Sequence, residues 1–120
     1  MSVRRVGHKG ADLIAPGNTY ASFDAALEAG VDMIEFDVLQ EPGSDRLLLA
    51  HDYEDAAGRR TVTFEEGLAY LVDERFEGIE FDVDLKLPGY EQPVVQTLRA
   101  LEALGVSGLI TNDPRLFAQL

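Results

Sequence analysis

The chain has no cysteine and no tryptophan, only two histidines, and 10 lysines and arginines set against 22 acidic residues among its 120 positions. Without cysteine there are no disulfides, thiolate metal sites or cysteine nucleophiles, so any metal must sit on oxygen or imidazole. The net charge of −12 opposes binding to a phosphate backbone, which draws on many Lys and Arg contacts, and no nucleic-acid partner is expected. No apolar run approaches the roughly 20 residues that cross a bilayer, so no membrane span is expected. Met1-Ser2-Val3-Arg4-Arg5-Val6 passes straight into a strand-like segment without the apolar stretch and small-residue cleavage site of a secretory leader. A cytoplasmic location follows as the expectation.

A hydrophobic content of 46% with 27% charged residues is that of an ordinary soluble domain, and the length predicts one domain over 1–120. Val3 to Val6 is short and β-branched and ends in Gly7-His8-Lys9-Gly10, which reads as a first strand running into a loop. Asn18 or Thr19 can cap a helix carrying Tyr20, Phe23, Ala26 and Leu27, with Gly30 as its stop. Met33 to Leu39 alternates as a second strand, and Leu47 to Ala50 reads as a third, ending at His51 and Asp52. A polar loop through Gly58 follows, and then Thr63 with Glu66 forms a capping-box pattern ahead of a second helix. Ile79 to Leu87 alternates most cleanly, Gln92 to Leu104 has helical spacing, and Gly108 to Thr111 is a short strand before a terminal turn from Pro114. This order predicts an α/β sheet of about five largely parallel strands. Ile-Glu-Phe-Asp-Val occurs at 34–38 and again at 79–83, and two copies alone do not establish a repeat architecture.

Period-two alternation sends Glu35 and Asp37 to the face opposite Ile34, Phe36 and Val38. It likewise sets Glu80, Asp82, Asp84 and Lys86 opposite Phe81, Val83 and Leu85. Such a row is commonly the wet face of a sheet. If helices cover the apolar faces, however, the charged faces point into an interior where unpaired carboxylates are costly. There, two carboxylates from one strand and a third from another can hold a hard cation such as Mg²⁺ or Ca²⁺. Both histidines, His8 and His51, follow strands, a position that is often just loop but that forms the active face of a parallel barrel.

At these residues the sequence resembles the glycerophosphodiester phosphodiesterase family of TIM-barrel enzymes. The resemblance runs through Gly7-His8-Lys9-Gly10, Pro16-Gly17-Asn18-Thr19, Ala21-Ser22-Phe23 with Ala29-Gly30-Val31-Asp32, and Ile34-Glu35-Phe36-Asp37-Val38. It continues with His51-Asp52, Asp84-Leu85-Lys86 and the stretch from Gly105 to Pro114. It implies His8 and His51 as general acid and base on a small-molecule phosphodiester, and Glu35, Asp37 and Asp84 around one divalent cation. It also implies Lys9, Lys86 and Asn18 near the phosphate. Three positions depart from the family pattern: Lys9 stands for its Arg, Gly17 for its Glu before Asn-Thr, and Asp84 for a frequent Glu. Lysine keeps the charge of arginine but loses its bidentate fork.

A complete eight-stranded barrel takes roughly 200 residues or more. The first four strands look like the family's first four, and the last looks like its eighth. The expectation is a partial, TIM-barrel-like parallel sheet with helices on its outer face, completed by assembly as a homo-oligomer, a dimer of partial barrels. Two functions stay open. One is metal-dependent hydrolysis of a glycerophosphodiester; the other is a catalytically inactive partial-barrel fragment, natural or engineered. A relative acting on a phospholipid headgroup is a narrower third.

Overall fold

The computed structural model describes residues 3–100 and, as backbone, the strand at 108–111. The first strand, β1, is Val6–Gly7, starting three residues and ending one residue later than the expected Val3 to Val6. Helix α1, Tyr20–Ala29, starts at Thr19, whose side chain accepts from the Ser22 amide. It stops at Gly30, where φ is 81° and the amide returns to the carbonyls of Ala26 and Leu27. Strand β2, Met33–Gln40, pairs with β1 in parallel, Val6 opposite Met33 and Gly7 opposite Ile34.

Strand β3, Leu47–Leu49, is the exception in a sheet expected to be largely parallel: it pairs antiparallel with β2, Val38 opposite Leu49 and Gln40 opposite Leu47. The reason is the short connection. Pro42 and Gly43 close a hairpin in which Gly43 takes φ 71° and the Glu41 amide meets the Arg46 carbonyl at 2.9 Å, whereas a parallel partner needs a crossover of a dozen or more residues. A short helix, α2, Tyr53–Ala57, lies in the stretch expected as loop. Asp52 caps it by accepting from the Asp55 amide.

Helix α3, Phe64–Leu71, opens with the capping box anticipated for Thr63 and Glu66, and a 3-10 turn at Glu74–Phe76 follows. Strand β4, Glu80–Leu85, lies parallel to β2. Helix α4, Glu91–Ala100, leads toward strand β5, Gly108–Thr111, which is parallel to β4. The expected end of that helix at Leu104 and the turn from Pro114 fall outside the described residues. The sheet order is β1-β2-β4-β5, with β3 on β2.

One core joins the apolar face of β2 and β4 to the helices. Ile34, Phe36, Val38, Phe81, Val83 and Leu85 are buried together with Phe23 and Ala26 of α1, Leu68 and Leu71 of α3, and Val94 and Leu98 of α4. The helices therefore cover one face of the sheet and leave the acidic face opposite. Tyr90 ties the top of this core down, its hydroxyl donating to the Val38 carbonyl at 2.6 Å and accepting from the Leu87 amide at 3.0 Å. The duplicated pentapeptide is not aligned with itself across the sheet. Ile34 faces Phe81 and not Ile79, so Glu35 lies beside Asp82 and Asp37 beside Asp84.

Candidate functional site

The register of β2 on β4 builds an acidic cluster. Glu35, Asp37 and Asp84 each present a carboxylate oxygen, and the three oxygens lie within 4.8 Å of one another. Asp37 is fully buried and Glu35 nearly so. Lys86, two residues after Asp84 on the same side, places its ammonium 2.8 Å from Asp84 Oδ2 and 3.3 Å from Asp37 Oδ1. Burial opposes protonation of that lysine, but the hydrogen bond to Asp84 and the charges of Asp37 and Asp84 outweigh it and raise its pKa.

One ammonium cannot neutralise three carboxylates. The Glu35 carboxyl is pushed up to about 7, first by burial, against the lowering effect of the Lys9 amide, with the charges of Asp37 and Asp84 adding to the rise. Asp37 Oδ1 is buried and lacks a hydrogen bond of acceptable geometry; Lys86 faces it as a charge alone. An oxygen-only donor set, an under-satisfied buried carboxylate oxygen and excess negative charge together fit a hard divalent cation.

The loop after β1 is locked onto this cluster. The Lys9 amide donates to Glu35 Oε1 at 2.9 Å, and the Gly10 amide donates to the Glu35 carbonyl at 3.1 Å. Lys9 holds a left-handed backbone, φ 53°, which non-glycine residues seldom adopt and which aims its amide at the carboxylate. Gly10 has φ 89°, and a Cβ there would stand 2.5 Å from Ser22 Oγ. The Gly-His-Lys-Gly motif thus permits a tight turn packed against α1. Asn18, also left-handed at φ 60°, is fully buried. Its Nδ2 donates to Asp37 Oδ2 at 3.0 Å and its Oδ1 accepts from the Asp37 amide at 2.9 Å. It faces the strand and not solvent. The Lys9 ammonium is 3.9 Å from Asp12 Oδ2.

The histidines reach this end of the sheet by topology. Val38 pairs with Leu85 of β4 and with Leu49 of β3, so β3 occupies the edge of β2 opposite β4. That is the edge β1 uses lower down. Running downward, β3 delivers His51 toward the loop that leaves β1, although it is not a parallel barrel strand. Both imidazoles are exposed, and neither belongs to the carboxylate cluster. His51 Nδ1 lies 3.2 Å from Asp52 Oδ2.

Sequence reasoning missed the clamp beneath His51. Its amide donates to Asp55 Oδ2 at 3.1 Å, and Arg59 holds both Asp55 oxygens at 3.0 Å while also donating to the Leu49 carbonyl at 2.9 Å. The Asp55 carboxyl is lowered first by the Arg59 hydrogen bond and, more weakly, by the Lys9 charge. Asp52 followed by Glu54 and Asp55 is a helix-start signal, and it was the clue to α2 and this clamp.

The sequence model of the glycerophosphoryl diester phosphodiesterase family matches residues 8–52. No curated protein matches the chain. Among solved structures, the chain is similar to the glycerophosphodiester phosphodiesterase from Agrobacterium tumefaciens, at 22% identity and TM-score 0.73 over 96% of this chain and 60% of that one. It is likewise similar to one from Parabacteroides distasonis, at 18% identity and TM-score 0.70 over 94% of this chain and 58% of that one. A third, from Thermotoga maritima, has 21% identity and TM-score 0.63 over 99% of this chain and 58% of that one. The chain thus spans about 60% of the length of the first of these structures. It resembles the glycerophosphodiester phosphodiesterases in sequence over residues 8–52 and in fold over nearly its whole length.

Proposed function

We propose that the chain hydrolyses a glycerophosphodiester to an alcohol and glycerol phosphate with the help of one divalent cation, Mg²⁺ or Ca²⁺, and that it acts as a homo-oligomer, a dimer of partial barrels. The observation that carries this reading is the convergence of Glu35, Asp37 and Asp84 within 4.8 Å, at the end of the sheet where the loop after β1 and the end of β3 also meet. These three carboxylates would hold the cation. When bound, it would supply Lewis-acid polarisation of a phosphoryl oxygen and neutralise its charge.

The chain's own residues would do the rest. Lys86 and Lys9 place ammonium groups for the anionic ester. His51, with Asp52 on its Nδ1 side, keeps Nε2 for exchanging a proton with the ester oxygen, and His8 supplies the complementary acid or base. Asn18 was expected at the phosphate. Its burial and its two hydrogen bonds to Asp37 support a positioning role instead, holding a metal-ligating carboxylate.

A second reading, an inactive fragment that binds a cation without turnover, is favoured by the exposure of both imidazoles outside the carboxylate cluster. Hydrolysis of glycerophosphodiesters, followed beside thermal stability during titration with Mg²⁺ and Ca²⁺, separates the two. Turnover lost in His51→Ala and in Glu35→Ala is the expected result. Cation stabilisation without turnover would establish the fragment, since ligand binding raises stability whether or not chemistry follows.

A further inference from the structure

Among the described strands four run parallel, in the order β1-β2-β4-β5, and β3 departs from that direction. Among the described residues β1 pairs with β2 alone along Val6–Gly7, and β5 pairs with β4 alone. A ribbon of four strands cannot close on itself, because about eight are needed before the interior is wide enough to hold its side chains. Among the described residues both edges therefore stay open, and an open edge is a row of backbone donors and acceptors that a native protein covers.

We infer that a second copy of this chain covers them: β5 of each copy pairs in parallel with β1 of the other about a two-fold axis along the barrel, closing an eight-stranded barrel from two halves. This deepens the dimer proposed above by naming its edges. The count is the first argument, since two sets of four parallel strands make the eight of a closed (β/α) barrel. Symmetry is the second. Rotation about the barrel axis preserves strand direction, so one operation satisfies both edges at once with the same contact made twice.

The third argument is the state of the β1 edge. The Arg5 carbonyl accepts from the Asp32 and Met33 amides, so by alternation along the strand Val6 turns its amide and carbonyl away from β2. Beside this edge, Val3 is 86% exposed, Leu13 fully exposed and Ile14 71% exposed. A groove there, lined by Ala26, Ala29 and Val31 of the α1 region with Leu13 and Ile14, is apolar surface that the neighbouring half of a barrel would cover.

The test is sedimentation velocity across the micromolar range with no cation or substrate present, so that it reads assembly apart from chemistry. The expected result is the mass of two chains, shifting to one chain in Val6→Pro, which removes the outward amide but spares those facing β2. A parent that stays monomeric overturns the inference, as does a dimer that Val6→Pro leaves intact. Because Val6→Pro could also impair folding, a cysteine walk provides a second measurement. Val6→Cys is combined in turn with Gly108→Cys, Leu109→Cys, Ile110→Cys and Thr111→Cys.

The chain has no cysteine of its own. Within one copy the two edges are three strand spacings apart, about 14 Å, beyond disulfide reach. A disulfide-linked dimer in at least one pair, absent from each single variant, is expected, and its absence from all four pairs overturns the edge pairing. A dimer without hydrolysis would leave this inference standing and remove the proposed activity. Hydrolysis by a monomer would do the reverse.

Discussion

Asn18 grips Asp37 twice, donating to its carboxylate at 3.0 Å and accepting from its amide at 2.9 Å, in a place closed to solvent. Asn18→Ala therefore leaves a buried amide and a buried carboxylate oxygen without partners, each worth about 1–3 kcal/mol. The expected outcome is a stability loss of about 2–4 kcal/mol in urea unfolding, with weaker cation-induced stabilisation. Asn18→Asp should be the worse variant, because it sets a second carboxylate against the first. A neutral Asn18→Ala would remove the positioning role.

The Glu35 carboxyl, held at about 7 against an ordinary 4.5, has a defined sign for stability. The fold favours its protonated form, so that contribution is complete below pH 4.5 and is lost as pH rises through about 7. Glu35→Gln, which stays neutral, should flatten this slope relative to the parent in unfolding measured across the same window. A cation needs the ionised carboxylate, so its stabilising effect should grow over the same rise in pH. Equal cation-induced shifts in melting temperature at both ends of the window would contradict the assignment.

Arg59 and Asp55 support His51 from below. Arg59→Lys keeps the charge but not the fork, and should lower kcat several-fold with little change in KM. Asp55→Asn, which weakens both the arginine contact and the bond to the His51 amide, should lower kcat further and cost about 1–3 kcal/mol of stability. If both variants lost stability while kcat held, the clamp would be structural only.

Gly10 has no room for a side chain. Gly10→Ala combines a disfavoured φ of 89° with a Cβ only 2.5 Å from Ser22 Oγ. The φ alone costs about 1 kcal/mol, and the clash, which pushes the Lys9 amide away from Glu35, adds to it. Loss of cation-induced stabilisation together with a lower melting temperature is the expected readout, while an unchanged melting temperature would mean that the loop adapts freely.

Alternation made the acidic face of β2 and β4 readable before any coordinates. Period two alone fixes which side Glu35, Asp37, Asp84 and Lys86 occupy, and the parallel register then brings them together. The cap at Thr63 was equally plain, because it rests on a pair three positions apart, whereas Asn18 and Thr19 were both open as the cap of α1 and Thr19 takes that place. The direction of β3 was not readable as parallel or antiparallel from Leu47 to Ala50 alone; the turn at Pro42-Gly43 decides it. Nor could residue type reveal that Asn18 faces inward. That depends on a left-handed backbone at a position where Asn is merely tolerated.

Every member of the acidic triad stands on just two adjacent strands, with Asp37 directly across from Asp84. Such a site is local in the way a dinucleotide step is local: its spelling depends on one ladder and on the loop after β1 that braces it. Strands beyond these could be exchanged or borrowed from a neighbour, and the three oxygens would still converge, provided that β2 and β4 never slip against each other.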